Sequence, residues 1–230
     1  MTITKWCQIV LGRDGLWDVA GAAVLYDAIK LKRRFPMIQQ TTYQNYQLKT
    51  NFGRTAVTIR PMNSSDTELL VALHERLSEE SLYKRFLRVY RPSVRDIKFI
   101  THLSATQGAG VVATTEVRGR EQAIGLAYYV IEDEKRPVTA EPAFVVDDWY
   151  QGQGVGKKLF AALCQTAVNN QISCFNVVMH PANGGMMRIF EQSGLPMQQR
   201  HHYGERELTI QLQPPTNYHF LDTAVALHAL

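Results

Sequence analysis

The chain has 230 residues, 45% of them hydrophobic and 20% charged, which suits a globular protein with one sizeable core and about 50 residues over. No run of about 18 uncharged apolar residues occurs, so no spanning helix is indicated, and Cys7, Cys164 and Cys174 offer neither metal-ligand spacing nor an even disulfide framework. The net charge of +4 belongs to residues 1–54, where eight Lys/Arg stand against three Asp/Glu, a net of +5; the other 176 residues hold 17 against 18, a net of −1, so nothing points to a nucleic-acid partner.

Residues 1–54 form a basic extension. Within it, residues 16–35 (LWDVAGAAVLYDAIKLKRRF) are expected to be a helix, apolar around most of its circumference, with Lys30, Lys32, Arg33 and Arg34 at its negative pole and Pro36 as its stop. Such a helix can pack on its own domain, join a second copy in a homodimer or larger assembly, or dock a partner. A membrane surface is the less favoured reading of its basic end. Residues 39–50 are polar and read as a linker with room for a strand. A strand is expected at residues 57–62, then helices over 65–77, 80–90 and 93–102. Strands over 110–117 and 123–132 are joined by a hairpin at Arg118-Gly119-Arg120. The run Asp133-Glu134-Lys135-Arg136-Pro137 turns the chain into the next strand, which carries Glu141 and ends in the apolar Ala143-Phe144-Val145-Val146.

A glycine-rich turn follows, Gln151-Gly152-Gln153-Gly154-Val155-Gly156-Lys157-Lys158, and then Val155, Leu159, Phe160, Leu163 and Ala167 recur at helical spacing to about residue 169. Strand, glycine turn and helix together make a plausible cradle for a phosphate or pyrophosphate, because the first helical turn has unpartnered N–H groups and glycines clear the approach. A Walker A loop is excluded: three residues, not four, separate Gly152 from Gly156-Lys157, and Lys158 stands where a hydroxyl is needed. The dinucleotide fingerprint fits poorly as well, since the spacing is Gly-x-Gly-x-Gly and no acidic ribose partner follows. A strand over 173–179 comes next, then Asn183, a helix through Met186, Met187, Ile189 and Phe190, and Gly194. Residues 197–203 and 207–213 read as a closing strand pair, and residues 217–230 as a short helix. His180, His201, His202 and His219 have no partners at metal spacing, so no metal is expected.

The pattern Gln151-x-x-Gly154-x-Gly156, with Asn183 eleven residues before Gly194, resembles the acetyl-coenzyme A motifs of the GCN5-related N-acetyltransferase (GNAT) superfamily. The likeness covers about residues 55–212. Arg60-Pro61, residues 77–86 (LSEESLYKRF) and residues 140–148 (AEPAFVVDD) are similar, more narrowly, to bacterial protein lysine acetyltransferases. The resemblance implies an α/β fold: a mixed central sheet with a splayed strand pair, flanked by helices, here with an N-terminal helical extension. The implied division is 1–54 extension, 55–213 catalytic domain and 214–230 tail.

It also implies acetyl-CoA as co-substrate. Gln151, Gly152, Gln153, Gly154, Val155 and Gly156 would surround the phosphates, with Lys157 nearby. The pantetheine arm would bond to Phe144 and Val146 or their neighbours, and an amide at Val145 or Val146 would face the oxyanion. Asn183 would touch the pantetheine region or cap the following helix. Glu141 is the implied general base, against the plainer reading of a solvated carboxylate at a strand start. Asp147 and Asp148 read as caps. Tyr83, Arg85 and Phe86 would wall the acceptor site, with Arg85 equally readable as a structural salt-bridge residue. Phe190 stands where many relatives have a Tyr that protonates the leaving thiolate. The activity implied is acetyl transfer to a protein lysine, with a small amine as the alternative acceptor and a GNAT-fold assembly protein as the alternative class. The free cysteines point to a cytoplasmic setting.

Overall fold

The computed structural model describes residues 44–50, 53–131, 139–202 and 204–212. The helices expected at residues 16–35 and 217–230, the docking or dimer role attached to the first of them, and the turn at 133–137 lie outside the described residues.

Among the described residues eight strands form one sheet: β1 (Gln44–Thr50), β2 (Gly53–Pro61), β3 (Gly108–Val117), β4 (Arg120–Ile131), β5 (Thr139–Val146), β6 (Cys174–Met179), β7 (Met197–His202) and β8 (Glu205–Gln211). Their order is β1-β2-β3-β4-β5-β6-β8-β7. All neighbours are antiparallel except β5 and β6. The sheet begins at Gln44, ahead of the expected start at Thr55: the strand for which residues 39–50 had room is β1, which pairs along its length with β2. A polar stretch can supply this strand because an edge strand needs little apolar patterning.

Among the described residues five α-helices accompany the sheet: α1 (Thr67–Arg76), α2 (Glu79–Phe86), α3 (Val94–Thr101), α4 (Val155–Asn169) and α5 (Gly184–Ser193). Helices α1 to α3 cover one face, burying Leu70, Leu73, Leu82 and Ile97 against Val112, Leu126, Tyr128, Ala143 and Val145. Helix α4 covers the other with Leu159, Phe160 and Leu163, joined by Phe190 of α5, against Ile59, Ala113, Ala127 and Phe175. The helices start where the sequence has its caps. Ser78 accepts from Ser81 N–H, Ser93 and Asp96 form a capping box, and Asn183 accepts from Met186 N–H.

Helix α2 ends at Phe86, four residues before the expected Tyr90. Leu87 turns left-handed at φ 56°, and its N–H returns to Tyr83 O at 2.7 Å. The chain is then drawn back over α1, whose last carbonyls need donors: Arg91 supplies them, donating to His74 O at 2.5 Å and to Leu77 O at 3.3 Å.

Candidate active site

Strand β5 positions the site. Among the described residues it pairs with β6 at Thr139↔Cys174 and Ala140↔Phe175 alone, so from Glu141 onward its second edge opens away from β6. Side chains alternate across a strand. Glu141, Ala143 and Val145 therefore face α1 to α3, and Phe144 and Val146 face α4. Backbone groups alternate between the two edges as well. Asp147 N–H bonds to Ile124 O of β4 at 2.9 Å, and Val145 O lies close to Gly125 of β4. Phe144 and Val146 thus turn their backbone groups to the open edge, where Val146 O accepts from the Gln151 side chain at 3.0 Å. Of the two amides expected near an oxyanion, Val146 is the one on that edge.

The splay opens into a cavity of about 580 Å³. Its wall contains Glu141, Phe144, Val145 and Val146 from β5, Gln151, Gly152, Gly154, Gly156 and Lys157 from the glycine turn, and Arg85 and Phe86 from α2, with Asn183 ahead of α5. Glu141 is only 7% exposed, so it is no solvated strand-start carboxylate. Three expected residues are not in the wall. Val155 is buried in the α4 core. Gln153 turns its amide back to Trp149 O at 2.7 Å. Tyr83, 43% exposed, meets His180 edge-on with ring centroids 5.8 Å apart. Asn183 is the cap of α5 as well as part of the wall, and Arg85 donates to the Tyr128 hydroxyl at 2.6 Å instead of pairing with a carboxylate.

The turn is built to present amides. Gly152 (φ 72°) and Gly154 (φ 90°) are left-handed, and a Cβ at either would meet nothing within 4 Å, so the space over them is open. The first α4 backbone bond runs from Lys158 N–H to Gly154 O, which leaves the Val155 and Gly156 N–H groups without intrahelical partners. Gly156 serves packing, since a Cβ there would stand 2.8 Å from Ile189 Cδ1 of α5.

Two aspartates anchor this turn. Asp147, 1% exposed, pairs with Arg76 Nε of α1 at 2.9 Å and accepts from Trp149 N–H. Asp148 accepts from Ser78 N–H, the Ser78 hydroxyl and the Ser81 hydroxyl at 2.9, 2.7 and 2.7 Å. Desolvation pushes the Asp148 carboxyl up, but these hydrogen bonds outweigh it and hold the group below its ordinary value. Gln151, which donates to Ser81 Oγ at 2.9 Å and to Val146 O, completes a strut between the start of α2 and the turn. Phe190 is buried against Phe144 and Phe160 and offers nothing to the cavity.

The sequence did not reveal Ser81, Lys84 and Arg88 on the α2 side, or Arg188, Ile189 and Gln192 of α5, as wall residues. Met186, Ile189 and Gln192 recur at helical spacing, but periodicity marks a face without saying what it faces. Five cations (Lys84, Arg85, Arg88, Lys157 and Arg188) against two acids (Glu141 and Glu205) make the wall positive, which favours a polyanion.

An open strand edge, a bare amide turn and a cationic wall fit a long anionic thioester such as acetyl-CoA. The model of the acetyltransferase (GNAT) family matches residues 71–195. This chain belongs to the GNAT family of acetyltransferases. Acetyltransferase Pat of Mycolicibacterium smegmatis is 29% identical over 136 residues, 59% of this chain and 40% of that one, so the GNAT chain spans well under half of that relative. The GNAT domain of S. lividans PAT is similar at 27% identity and a TM-score of 0.62, over 73% of this chain and 97% of that domain. The yncA structure from Salmonella typhimurium, which holds its cofactor acetyl-CoA, shares the fold at 16% identity and a TM-score of 0.55, covering 68% and 93% of the two chains.

Proposed function

We propose that the chain transfers an acetyl group from acetyl-CoA to the ε-amine of a protein lysine, with Glu141 as general base. The observation that carries the reading is the splay after Ala140, which sets a buried carboxylate and an amide-lined glycine turn in one cavity. The likeness of residues 60–61, 77–86 and 140–148 to bacterial protein lysine acetyltransferases, and the overlap with the two relatives named Pat and PAT, support a lysine acceptor. The free cysteines Cys164 and Cys174 suit a reducing, cytoplasmic setting.

In this reading the amides of Gly152 to Gly156 and the Lys157 side chain hold the diphosphate, while Phe144 and Val146 offer backbone groups to the pantetheine arm. When bound, acetyl-CoA supplies an acyl group activated as a thioester. A lysine amine with pKa about 10.4 is neutral in roughly one molecule in 2,500 at pH 7. Glu141 takes its proton, directly or through a water, so that nitrogen can attack the acyl carbon. The Val146 N–H faces the oxygen that gains charge. With Phe190 in the core, the thiolate leaves without a side-chain acid from α5, which a thiol pKa of about 8.5 permits.

Glu141→Gln should lower kcat by about 10²–10⁴-fold and leave desulfo-CoA affinity unchanged by calorimetry. Undiminished turnover by that variant would remove Glu141 as the base. Lysine peptides assayed beside a panel of small amines test the acceptor, and acetylation of small amines alone would sink the protein-lysine reading.

A further inference from the structure

Two acids stand in the cavity wall, Glu141 and Glu205, and the proposed reaction uses one of them. Glu205 opens β8, on the arm of the splay that parts from β5. Its neighbour Arg206 pairs with Met179 at the end of β6, while β5 is last paired with β6 at Ala140↔Phe175. Glu205 is therefore level with a point about four residues past Glu141, or about 13 Å along the strands. Side chains that rise from one sheet face keep about that spacing, so one amine does not sit on both carboxylates, and Glu205 is not a second base.

Both acids do rise from the same face. Phe175, Val177 and Met179 of β6 and Leu208 and Ile210 of β8 are buried with α4. By alternation Asn176, Val178, Glu205, Glu207 and Thr209 point the other way, and the 3.2 Å bond from Thr209 Oγ1 to Asn176 Oδ1 lies on that side. It is the side of Glu141, from which an amine comes if Glu141 is to take its proton. The coenzyme contacts proposed above lie on the open edge of β5 and at the glycine turn instead. Among the described residues, those buried under α1 to α3 include none from β6, β7 or β8. These helices thus leave that half of the face uncovered beside the cavity, and Val178 and Glu205, both partly exposed, belong to the wall there.

Among the described residues no ion pair or hydrogen bond engages the Glu205 carboxylate. Two of the wall cations are already engaged, Lys84 with Glu80 and Arg85 with the Tyr128 hydroxyl, and the phosphates of a bound coenzyme offset the wall's positive charge. An accessible, unpaired carboxylate on the acceptor side is then a seat for a cation. We propose that Glu205 receives a basic side chain of the acceptor protein, so that the enzyme selects lysines with a second Lys or Arg nearby. This rests on the lysine-acceptor reading above. An extended chain advances about 3.3–3.6 Å per residue, so a spacing of about 13 Å corresponds to a neighbour about four positions away.

The test uses peptides of one lysine with Arg, Gln or Glu scanned through the four positions on either side, assayed for kcat/KM with acetyl-CoA. Arg is expected to be favoured over Gln by about 5-fold or more at one position, through KM, with a gain that shrinks as salt rises. The ratio should collapse in Glu205→Gln, be partly kept in Glu205→Asp, and invert in Glu205→Arg, which should favour the Glu peptide at that same position. Because the inversion is a gain for one peptide, it separates charge pairing from damage to the fold. Equal use of Arg and Gln peptides, or a preference for Arg that survives Glu205→Gln, overturns the proposal while leaving the lysine reading standing. Acetylation of none of these peptides by the wild-type chain overturns the lysine reading and this inference together.

Discussion

At Gly154 the backbone holds φ 90° with open space where a side chain would start. An L-residue in that conformation costs about 1–2 kcal/mol, and its methyl would stand over the amides proposed to hold the diphosphate. Gly154→Ala should therefore weaken desulfo-CoA binding by about 10-fold or more, read by calorimetry, with circular dichroism unchanged. Unaltered affinity would mean that the anion rests elsewhere. This residue was legible in the sequence because a left-handed turn leading into a helix is a local demand, met by glycine spacing alone. Gln151 was legible only as a motif position. Its amide belongs to the strut to Ser81 and Val146 O, a role set by a helix some 70 positions away in the chain.

Among the elements, the entry to α1 depends on one guanidinium. Arg60 of β2 makes a bidentate pair with Asp66 at 2.6 and 2.9 Å and also meets Glu121 of β4. Asp66 in turn accepts from Asn63 N–H, closing the capping box that starts the helical turn. The bond to Asp66 is the main influence holding the Arg60 guanidinium charged; burial opposes it, and Glu121 adds to it. Arg60→Ala leaves the buried Asp66 carboxylate without its cation, with the Asn63 N–H still donating to it. It should destabilise the fold by about 3–5 kcal/mol, measured by urea unfolding; a loss under about 1 kcal/mol would show that the pair behaves as a surface bridge. The Arg-Pro and Ser-Asp signals predicted a strand and a cap. They did not predict that the strand's arginine would hold the cap's aspartate, because the two meet only when β2 and α1 fold together.

For the whole molecule, His74 links stability to pH. Its imidazole, on α1, is buried, with Nδ1–H donating to Leu70 O at 2.8 Å. Burial is the main cause that brings it down from 6.5 to about 4; the Leu70 bond opposes this, and the Arg85 and Arg91 charges add to it. The unfolded chain takes up a proton near 6.5 that the folded chain refuses until about 4. Stability is thus flat in this group above pH 6.5 and falls as pH drops from 6.5 to 4, by about 3 kcal/mol in all. Urea midpoints from pH 7.5 to 4.5 should show the decline, and His74→Leu should flatten it. A slope unchanged by that substitution would assign the acid sensitivity to other groups.

By itself the sequence determined the order of strands and helices after residue 55, their caps, the bare amide turn and the strand that carries Glu141. These follow from side-chain periodicity and backbone freedom within a few residues. The tertiary structure alone decided where the expected splay begins, with β5 leaving β6 after Ala140, that Phe190 fills a core, that β1 extends the sheet, and that Arg88 faces the same cavity as Glu141. Each of these depends on which distant surfaces meet. Pairing between parallel strands and the packing of helices on a sheet are settled by the summed burial of the whole chain, and that sum has no local signature.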